Sequence, residues 1–389
     1  MEINCLIKGC IGALCLTVLG GCANKLSKET DAADAPVLVN CKFTECLDRD
    51  DDVLSCNLAT DRIFELKNAE EILSEEFAIN EINGNRMVVS TNDAALLFEI
   101  PSGELLANVS VGDDMKNVSN AVFSGDDDNL WVVKRDWRNR TTTFRQYDAN
   151  NKPEQTIQTH DSFGDVKFYT DSTFLATNSI GFDGGQFYLY ILNKRFEKTD
   201  SVMFPVAIEP QEDYFLIDCP LQSDGNEFNS CIFTSDTLYN VSSALDVNPI
   251  VALDFGDKKL PEDITMKRIG NVMEYYKAME PYIYLTHINK FGDFLFCRFE
   301  HGANAYHTIF DCKSGKLLYS RKGTDGKWGI SLDVNGEKFC SWPTAIWQDN
   351  LIFGVPAKIM NNITGQKNDN TVWLATLPLS SLADALKKL

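Results

Sequence analysis

A short basic and aromatic stretch, residues 134–140, contains the side chains most suited to binding a ligand. It reads KRDWRNR within a chain of net charge −20, and it places Arg135 and Arg138 beside Trp137. Guanidinium groups form paired hydrogen bonds with carboxylates and phosphates, and Arg and Trp often anchor binding surfaces. The stretch therefore predicts a site for an anionic or sugar-like ligand. The alternative is that its cations pair with surrounding acids. If the two arginines are exposed, replacing them should change stability by no more than about 0.5 kcal/mol.

The histidines give no sign of a catalytic or metal centre. The spacing of His160, His287, His301 and His307 does not bring three ligands together, and the sequence has neither a G-x-S-x-G nor an H-E-x-x-H motif. We therefore expect histidines at the surface or between packed sheets. We expect no catalytic residue, no metal ligand and no other cofactor.

A cysteine close to the start of the chain is predicted to carry a lipid. Residues 9–19 are apolar or small apart from Thr17. This run is too short to span a bilayer, but it fits the apolar part of a signal peptide. The four residues LGGC that end at Cys22 resemble a bacterial lipobox, which implies cleavage before Cys22 and acylation of that residue. An ordinary secretory signal with an incidental cysteine is the alternative.

Cysteine usage agrees with an exported protein. Of the 12 cysteines, three lie in the signal and one takes the lipid, which leaves an even number. Cys297 and Cys312 flank a polar turn between two strand-like runs, so we predict a disulfide across a hairpin. Cys219 and Cys231 are predicted to close a turn-rich loop. If the remaining four also pair, one bond must join the two ends of the chain; the alternative is that several cysteines are buried thiols. The remaining four are Cys41, Cys46, Cys56 and Cys340.

The acidic composition limits the range of partners. A net charge of −20 argues against nucleic acid, because phosphate binding needs a basic face. Residues 48–52 and 125–129 are strongly acidic, but neither has the spaced oxygen ligands of a calcium loop. The second of these stretches lies between two strand-like runs, which favours a turn.

Short apolar runs broken by turn residues make up most of the chain. Runs such as RMVVST, ALLFEI, NLWVVKR and FYLYILN are rich in β-branched and aromatic residues and end at Gly, Asn, Asp, Ser or Pro. A helical period is confined to residues 69–77, 263–279 and 381–389. The pattern predicts a mostly antiparallel all-β protein.

Several of these strands are apolar on both faces, for example residues 187–191 and 294–297. A strand in a sheet with one solvent-exposed face would alternate apolar and polar residues. These sheets must therefore be buried on both faces. They follow one another as hairpins without crossover helices, which favours a β-propeller. A repeat of about 40 to 60 residues then predicts roughly six blades, with the N-terminal strand completing the last one.

One segment of the sequence resembles a known family. Residues 237–264 read TLYNVSSALDVNPIVALDFGDKKLPEDI. They resemble the block IY-x-I … P-x-Y-x-L-D-F-G … K-L-P of the six-bladed β-propeller family of lipoproteins common in Bacteroidota. The resemblance implies this fold and export from the cytoplasm, but it implies no characterised activity. Many members carry a G-x-G-P-G-E-Y loop where residues 111–121 read VGDDMKNVSNA, so any function of that loop is in doubt here.

The sequence thus predicts four parts: a lipoprotein signal peptide (1–21), a flexible tether (22–36), a six-bladed β-propeller with short helical additions (37–379) and a helical tail (380–389). We expect a module of the bacterial cell envelope, anchored by lipid to the outer membrane on its periplasmic or surface side. It would bind or scaffold an envelope protein, a peptide or a glycan at the central tunnel mouth. The alternatives are a propeller-type metal-dependent hydrolase or lactonase with its site in the tunnel, and a purely structural partner in an envelope complex.

Overall fold

The apolar runs of the sequence form β-strands, which pair within the described residues into seven sheets in a computed structural model of the protein. The structure describes residues 38–51, 54–69, 77–124, 129–136, 138–148, 150–170, 173–180, 185–208, 219–224, 227–232, 235–241, 245–261, 264, 272–323, 329–365 and 371–389. Residues from Val39 onwards form one compact unit. The strands and helices of its described residues are numbered in chain order.

Six of the sheets are blades in which consecutive strands step outwards from the centre. Blade I contains β4 (Ala78–Asn83), β5 (Arg86–Ser90), β6 (Ala94–Glu99) and β7 (Leu105–Ser110). Blade II contains β8 (Asn120–Phe123), β9 (Leu130–Asp136), β10 (Thr141–Tyr147) and β11 (Pro153–Thr159). Blade III contains β12 (Phe163–Thr170), β13 (Thr173–Asn178), β14 (Gly185–Asn193) and β15 (Lys198–Ile208).

The second half of the chain forms the other three blades. Blade IV contains β16 (Gln222–Asp224), β17 (Glu227–Cys231), β18 (Thr237–Val241) and β19 (Val247–Asp254), and β1 (Val39–Lys42) joins its outer edge. Blade V contains β20 (Tyr284–Phe291), β21 (Phe294–His301), β22 (Asn304–Asp311) and β23 (Leu317–Lys322). Blade VI contains β26 (Ala345–Trp347), β27 (Asn350–Val355), β28 (Trp373–Pro378) and, outermost, β3 (Arg62–Glu65).

Strands from near the N-terminus complete two of the blades. β3 pairs antiparallel with β28, with Glu65 opposite Trp373, so the prediction that an N-terminal strand completes the last blade is confirmed. β1 pairs parallel with β19, with Val39 opposite Val251. The turn at Gly315 lies so close to β1 that a side chain there would collide with the Asn40 carbonyl group. The N-terminal strands are therefore parts of the ring.

The seventh sheet was not predicted from the sequence. It contains β2 (Leu54–Ala59), β24 (Ile330–Val334) and β25 (Glu337–Ser341). Its residues Ile330 and Leu332 are buried in the same cluster as Phe296 of blade V and Phe353 of blade VI. This small sheet therefore lies between those two blades.

The core consists of layers between neighbouring blades. In β6, Leu96 packs in the cluster shared with blade VI, whereas its neighbour Leu97 packs in the cluster shared with blade II. Each of the six blade-to-blade contacts has such a cluster among the described residues. This arrangement explains why the strands are apolar on both faces.

Helices are short and peripheral to this arrangement. They are α1 (Thr44–Leu47), α2 (Val272–Met279), α3 (Ala357–Thr364) and α4 (Leu379–Leu386). Most of the helix predicted over 69–77 lies outside the described residues, as does the first part of the one predicted over 263–279. No described helix has the length and hydropathy needed for a bilayer span, which takes about 20 apolar residues.

Candidate functional site

A cavity of about 240 Å³ lies at the centre of the ring, where the innermost strands of the blades approach one another. Residues from β4, β12, β16, β20 and β26, or directly beside these strands, line it. The side chains that matter for its chemistry are Asn80, Glu81, Lys167, Gln222, Asn289 and Ile346. The propeller topology thus brings five blades to one small space.

Glu81 is the most buried acid at this cavity, with 6% of its surface exposed. Its carboxylate accepts hydrogen bonds from the backbone N–H groups of Phe168 (2.7 Å) and Phe123 (3.3 Å). Burial raises the pKa of Glu81 to about 8, and the nearby Lys167 ammonium and the two backbone donors oppose that rise only in part. Glu81 therefore holds a proton near neutral pH.

Lys167 is the cation closest to this acid in the cavity wall. Its Nζ donates to the backbone carbonyl oxygen of Asn80 at 2.8 Å and lies 3.6 Å from Oδ1 of Asp165. Asp165 in turn accepts from the side-chain amide of Asn120 at 2.8 Å and from the backbone N–H of Leu221 at 2.9 Å. Charged side chains thus tie blades I to IV together around the cavity.

Two residues of the cavity wall carry a buried side-chain carbonyl oxygen that has no hydrogen-bond partner in the described part of the chain. These oxygens are Oδ1 of Asn80 and Oε1 of Gln222. A buried polar atom without a partner costs about 1–3 kcal/mol, and such atoms are uncommon in folded proteins. Neighbouring atoms cover both oxygens, so a molecule in the cavity does not reach them directly.

His287 and Asn289 line the cavity from blade V. The nitrogen atoms Nδ2 of Asn289 and Nε2 of His287 are 2.7 Å apart, so the amide donates to the ring. Desolvation, followed by the nearby Arg298 guanidinium, lowers the pKa of His287. The imidazole is therefore neutral at neutral pH and can serve as a hydrogen-bond acceptor.

Arg135 joins two blades, and the ligand contact predicted for it remains a prediction. Its Nη1 donates to the backbone carbonyl oxygens of Phe163 (3.3 Å) and Gly164 (3.2 Å) and to the hydroxyl of Ser179 (2.9 Å). The side chain of Arg135 is only partly exposed. The small change in stability expected on replacing an exposed arginine therefore does not apply to it. Sequence reasoning could not identify these partners because they belong to blade III.

The other residues of the 134–140 stretch leave the ligand prediction open. Arg138 is exposed, and its backbone N–H donates to Oδ1 of Asp136 at 3.0 Å. Trp137 lies outside the described residues. A ligand role for Arg138 and Trp137 remains a prediction.

The remaining histidines of the second half lie in hydrogen-bonded or packed positions. His307 is buried against the Trp342 ring, with 5.0 Å between ring centres, and burial lowers its pKa to about 4. His301 Nδ1 lies 3.3 Å from the carbonyl oxygen of Tyr282. Among the described residues no group of three or more His, Cys, Asp and Glu side chains is arranged to hold a metal ion.

The predicted disulfide between Cys297 and Cys312 is absent, because the hairpin has a different register from the one assumed. Cys297 lies opposite Thr308, and the backbone N–H of Cys312 donates to the carbonyl oxygen of Asp293. The two cysteines are therefore four residues out of register, about 13 Å along the strand. A disulfide needs Cα atoms within about 7 Å.

Cys219 and Cys231 also fail to pair, because they lie on opposite faces of blade IV. Cys219 packs in the cluster shared with blade III, and its Sγ is 3.1 Å from the hydroxyl of Ser230. Cys231 packs in the cluster shared with blade V, together with Cys41 and Cys297. Cys22 and the side chain of Cys56 lie outside the described residues, so lipidation and an end-joining bond remain predictions.

Comparison with known proteins agrees with this ring of six blades. Residues 125–325 match the model of the family DUF5128, described as 6-bladed beta-propeller. The chain belongs to this six-bladed β-propeller family. The family resemblance and the all-β fold inferred from residues 237–264 and from the strand pattern are thereby confirmed.

One solved structure shares the fold of this chain at low sequence identity, and a second is less similar. A Bacteroides fragilis protein named as exported is 12% identical, has a TM-score of 0.58, and matches over 88% of this chain and 99% of its own. A DUF4221 family member from Bacteroides vulgatus is 11% identical with a TM-score of 0.44, over 82% of this chain and 96% of its own. A search of curated proteins finds no match.

Proposed function

We propose that this protein is an exported, lipid-anchored binding module of the bacterial cell envelope that takes a small ligand into its central cavity. The observation that carries the proposal is the cavity of about 240 Å³ at which the innermost strands of five blades meet. Among the residues that line it, Asn80, Gln222 and Asn289 are polar and Ile346 is apolar, which suits a small molecule with both kinds of group.

The size and composition of the cavity suit a small molecule. Its volume of about 240 Å³ is slightly below the range typical of drug-sized ligands. Ile346 and Phe291 supply apolar wall, whereas Gln222 and Asn289 supply groups that could fix the orientation of a ligand. Such a mixture is typical of binding pockets for small organic molecules.

The proposed location of the protein in the cell envelope depends on the N-terminal residues. The LGGC motif that ends at Cys22 predicts lipidation, and stable anchoring takes two lipid signals, such as dual acylation. The Bacteroides fragilis relative named as exported supports a location outside the cytoplasm. We place the protein on the outer membrane, tethered through the residues that precede β1.

The anchor can be tested by replacing Cys22 with Ala and following the protein after growth with radioactive palmitate. We expect the label to disappear and the protein to leave the membrane fraction. Cys15→Ala, within the same signal, is the matched control and should leave both unchanged. Retained label in Cys22→Ala would overturn the anchor.

The cavity can be tested by ligand-observed NMR with mixtures of sugars, amino acids, nucleosides and amines. Gln222→Met removes the carbonyl group but keeps a side chain of similar length. A true cavity ligand should lose its signal with this variant and keep it with Glu280→Gln, which changes an exposed acid elsewhere. Ligands that bind both variants equally would contradict the proposed site.

A further inference from the structure

A row of nitrogen-bearing side chains crosses blade V from its innermost strand to its rim. His287 on β20 lies opposite Arg298 on β21. Arg298 lies in turn opposite His307 on β22, which lies opposite Arg321 on β23. Residues opposite each other on antiparallel strands share one face of the sheet, with Cβ atoms about 5 Å apart. The row therefore places four basic or imidazole side chains side by side with no acid between them.

The outer half of the row has partners within the protein. Nη1 of Arg321 donates to Oδ1 of Asp50 at 3.3 Å and to the backbone carbonyl oxygen of Asp51 at 3.1 Å. His307 is buried and packs against the Trp342 ring. These two side chains thus hold the N-terminal segment and the small sheet against blade V.

The inner half of the row is open to solvent, because His287 and Arg298 are both exposed. Since Nε2 of His287 accepts from the Asn289 amide, the proton of the neutral ring is on Nδ1. Among the described residues, neither this N–H group nor the guanidinium group of Arg298 has a hydrogen-bond or ion-pair partner. Glu300, two residues further along β21 on the same face, forms no ion pair with that group. Two donors without an acceptor in the protein therefore lie next to each other.

These two donors lie beside the central cavity. His287 lines the cavity, and Arg298 belongs to the next strand outwards in the same blade. A molecule from solution can reach both side chains, unlike the covered oxygens of Asn80 and Gln222. Ile346 supplies apolar wall to the same cavity. A molecule with a polar end at the two donors could therefore place an apolar body in the cavity.

The charges around the cavity leave one cation unmatched. Two ion pairs, Asp165 with Lys167 and Asp224 with Lys290, balance themselves. Glu81, bonded to two backbone N–H groups, holds a proton near neutral pH. The guanidinium group on β21 then remains as a charge that no acid in the described wall balances. A negatively charged ligand would match it, whereas a cation would add to it.

We propose that His287 and Arg298 bind the carboxylate group of a small organic acid, whose apolar part occupies the central cavity. A guanidinium group forms two parallel hydrogen bonds with a carboxylate, and the Nδ1–H group of the neighbouring imidazole supplies a third. This inference rests on the proposed function, since it names the ligand class of the same cavity. A monocarboxylate brings one negative charge, whereas a phosphate group brings up to two, which the carboxylates of Asp165 and Asp224 oppose.

Isothermal titration calorimetry with sodium hexanoate tests this on the full chain. Hexanol and hexylammonium chloride have the same apolar chain without the carboxylate, and sodium phosphate has the negative charge without the apolar chain. We expect hexanoate to bind at least about tenfold more tightly than each of these three, as the loss of hydrogen bonds to a charged group implies.

Variants at the two ends of the proposed ligand separate its contacts. Arg298→Met should weaken hexanoate binding by about tenfold or more, and Arg298→Lys, which keeps the charge but not the paired donors, should restore part of it. Arg195→Met, at another exposed arginine, is the matched control and should change nothing. Ile346→Trp should also abolish binding, because the larger ring fills the cavity. If Arg298→Met fails to fold, Arg298→Lys and the comparison of hexanoate with hexanol decide the matter.

The carboxylate site and the binding function fail in different ways. If hexanol or phosphate binds as well as hexanoate, or if Arg298→Met leaves hexanoate binding unchanged, the carboxylate site is wrong. A ligand from the NMR mixtures that responds to Gln222→Met would then still support the cavity. If hexanoate binding is lost with Arg298→Met but kept with Ile346→Trp, the ligand lies outside the cavity and its proposed placement is wrong. If no probe and no component of the mixtures responds to any of these variants, both proposals are overturned.

Discussion

The carboxylate of Glu81 accepts a hydrogen bond from the backbone N–H of Phe168, with 2.7 Å between Oε1 and N. Glu81 belongs to blade I and Phe168 to blade III, so this hydrogen bond joins two blades that are not neighbours in the ring. Its other oxygen accepts from the backbone of Phe123 in blade II. This one side chain therefore holds three blades together.

The burial of Glu81 predicts a specific dependence of stability on pH. The pKa of Glu81 is about 8 in the folded chain and returns to its ordinary value near 4.5 on unfolding. The folded state thus binds the proton more tightly. Its contribution to stability is complete below about pH 4.5 and is lost as the pH rises through about 8, at up to about 1.4 kcal/mol per pH unit.

Glu81→Gln should remove that decline, because glutamine does not titrate. The free energy of unfolding, measured by urea denaturation at pH 5.5, 6.5 and 7.5, should fall less steeply in this variant than in the wild-type protein. Glu280→Gln, an exposed acid, should keep the wild-type slope. Equal slopes in all three proteins would show that Glu81 is ionised over this range.

Replacement of Arg135 should destabilise the protein, because its guanidinium group joins blades II and III. Arg135→Met keeps much of the apolar stem but leaves the carbonyl groups of Phe163 and Gly164 without this donor. We expect a loss of about 1–3 kcal/mol in unfolding free energy. Arg195→Ala, at an exposed turn, should change it by no more than about 0.5 kcal/mol. A smaller effect at position 135 than at position 195 would contradict the bridging role.

Phe43→Ala should cost about 3–5 kcal/mol, because Phe43 is fully buried and a cavity would replace its ring. Its ring centre lies 4.8 Å from that of Phe255 and 5.1 Å from that of Phe310. Thermal and urea unfolding measure the loss, and Met203→Ala, which is 49% exposed, is the control. A loss below about 1 kcal/mol would mean that the segment around Phe43 packs weakly.

The cysteines of the core between blades IV and V should react only after unfolding. Burial raises the pKa of both Cys41 and Cys231 to about 12, and it also raises that of Cys297. Few thiolates are therefore present at pH 7. Maleimide without reductant should leave these residues unmodified in the native protein and label them in denaturant. The exposed variant Lys194→Cys should be labelled in both states.

A peptide that links Cys297 to Cys312 in the unreduced protein would contradict this prediction. It would require the hairpin to shift its register, since Cys297 lies opposite Thr308.

Much of the fold could be predicted from the sequence because burial on both faces leaves a strong pattern. Leu96 and Leu97 pack into two different clusters between blades. Only a strand with a neighbouring blade on each face needs apolar residues at both of these consecutive positions. The small sheet between blades V and VI could not be predicted. Its hairpin over β24 and β25 has the same local pattern as a blade hairpin, and only the pairing of β24 with the distant β2 distinguishes it.

The candidate site was harder to find than the fold. Glu81 and Lys167 lie in stretches that read INEIN and DVKFY, where a charged residue between apolar ones is typical of a solvated strand face. Their position at the cavity depends on which strand of each blade is innermost, and a single sequence does not reveal that order. Arg135 shows a related difficulty, because a visible cluster of charges does not reveal that its guanidinium group contacts blade III.

The pairing of β3 with β28 has a consequence for how the molecule comes into being. β3 is made early, but it can take its place only after β28 has been made. β1 and β2 likewise wait for β19 and β24. Blades I to III need no such partner, because each contains only consecutive strands. Distant pairings slow folding, so blade VI should be the last blade of the ring to close.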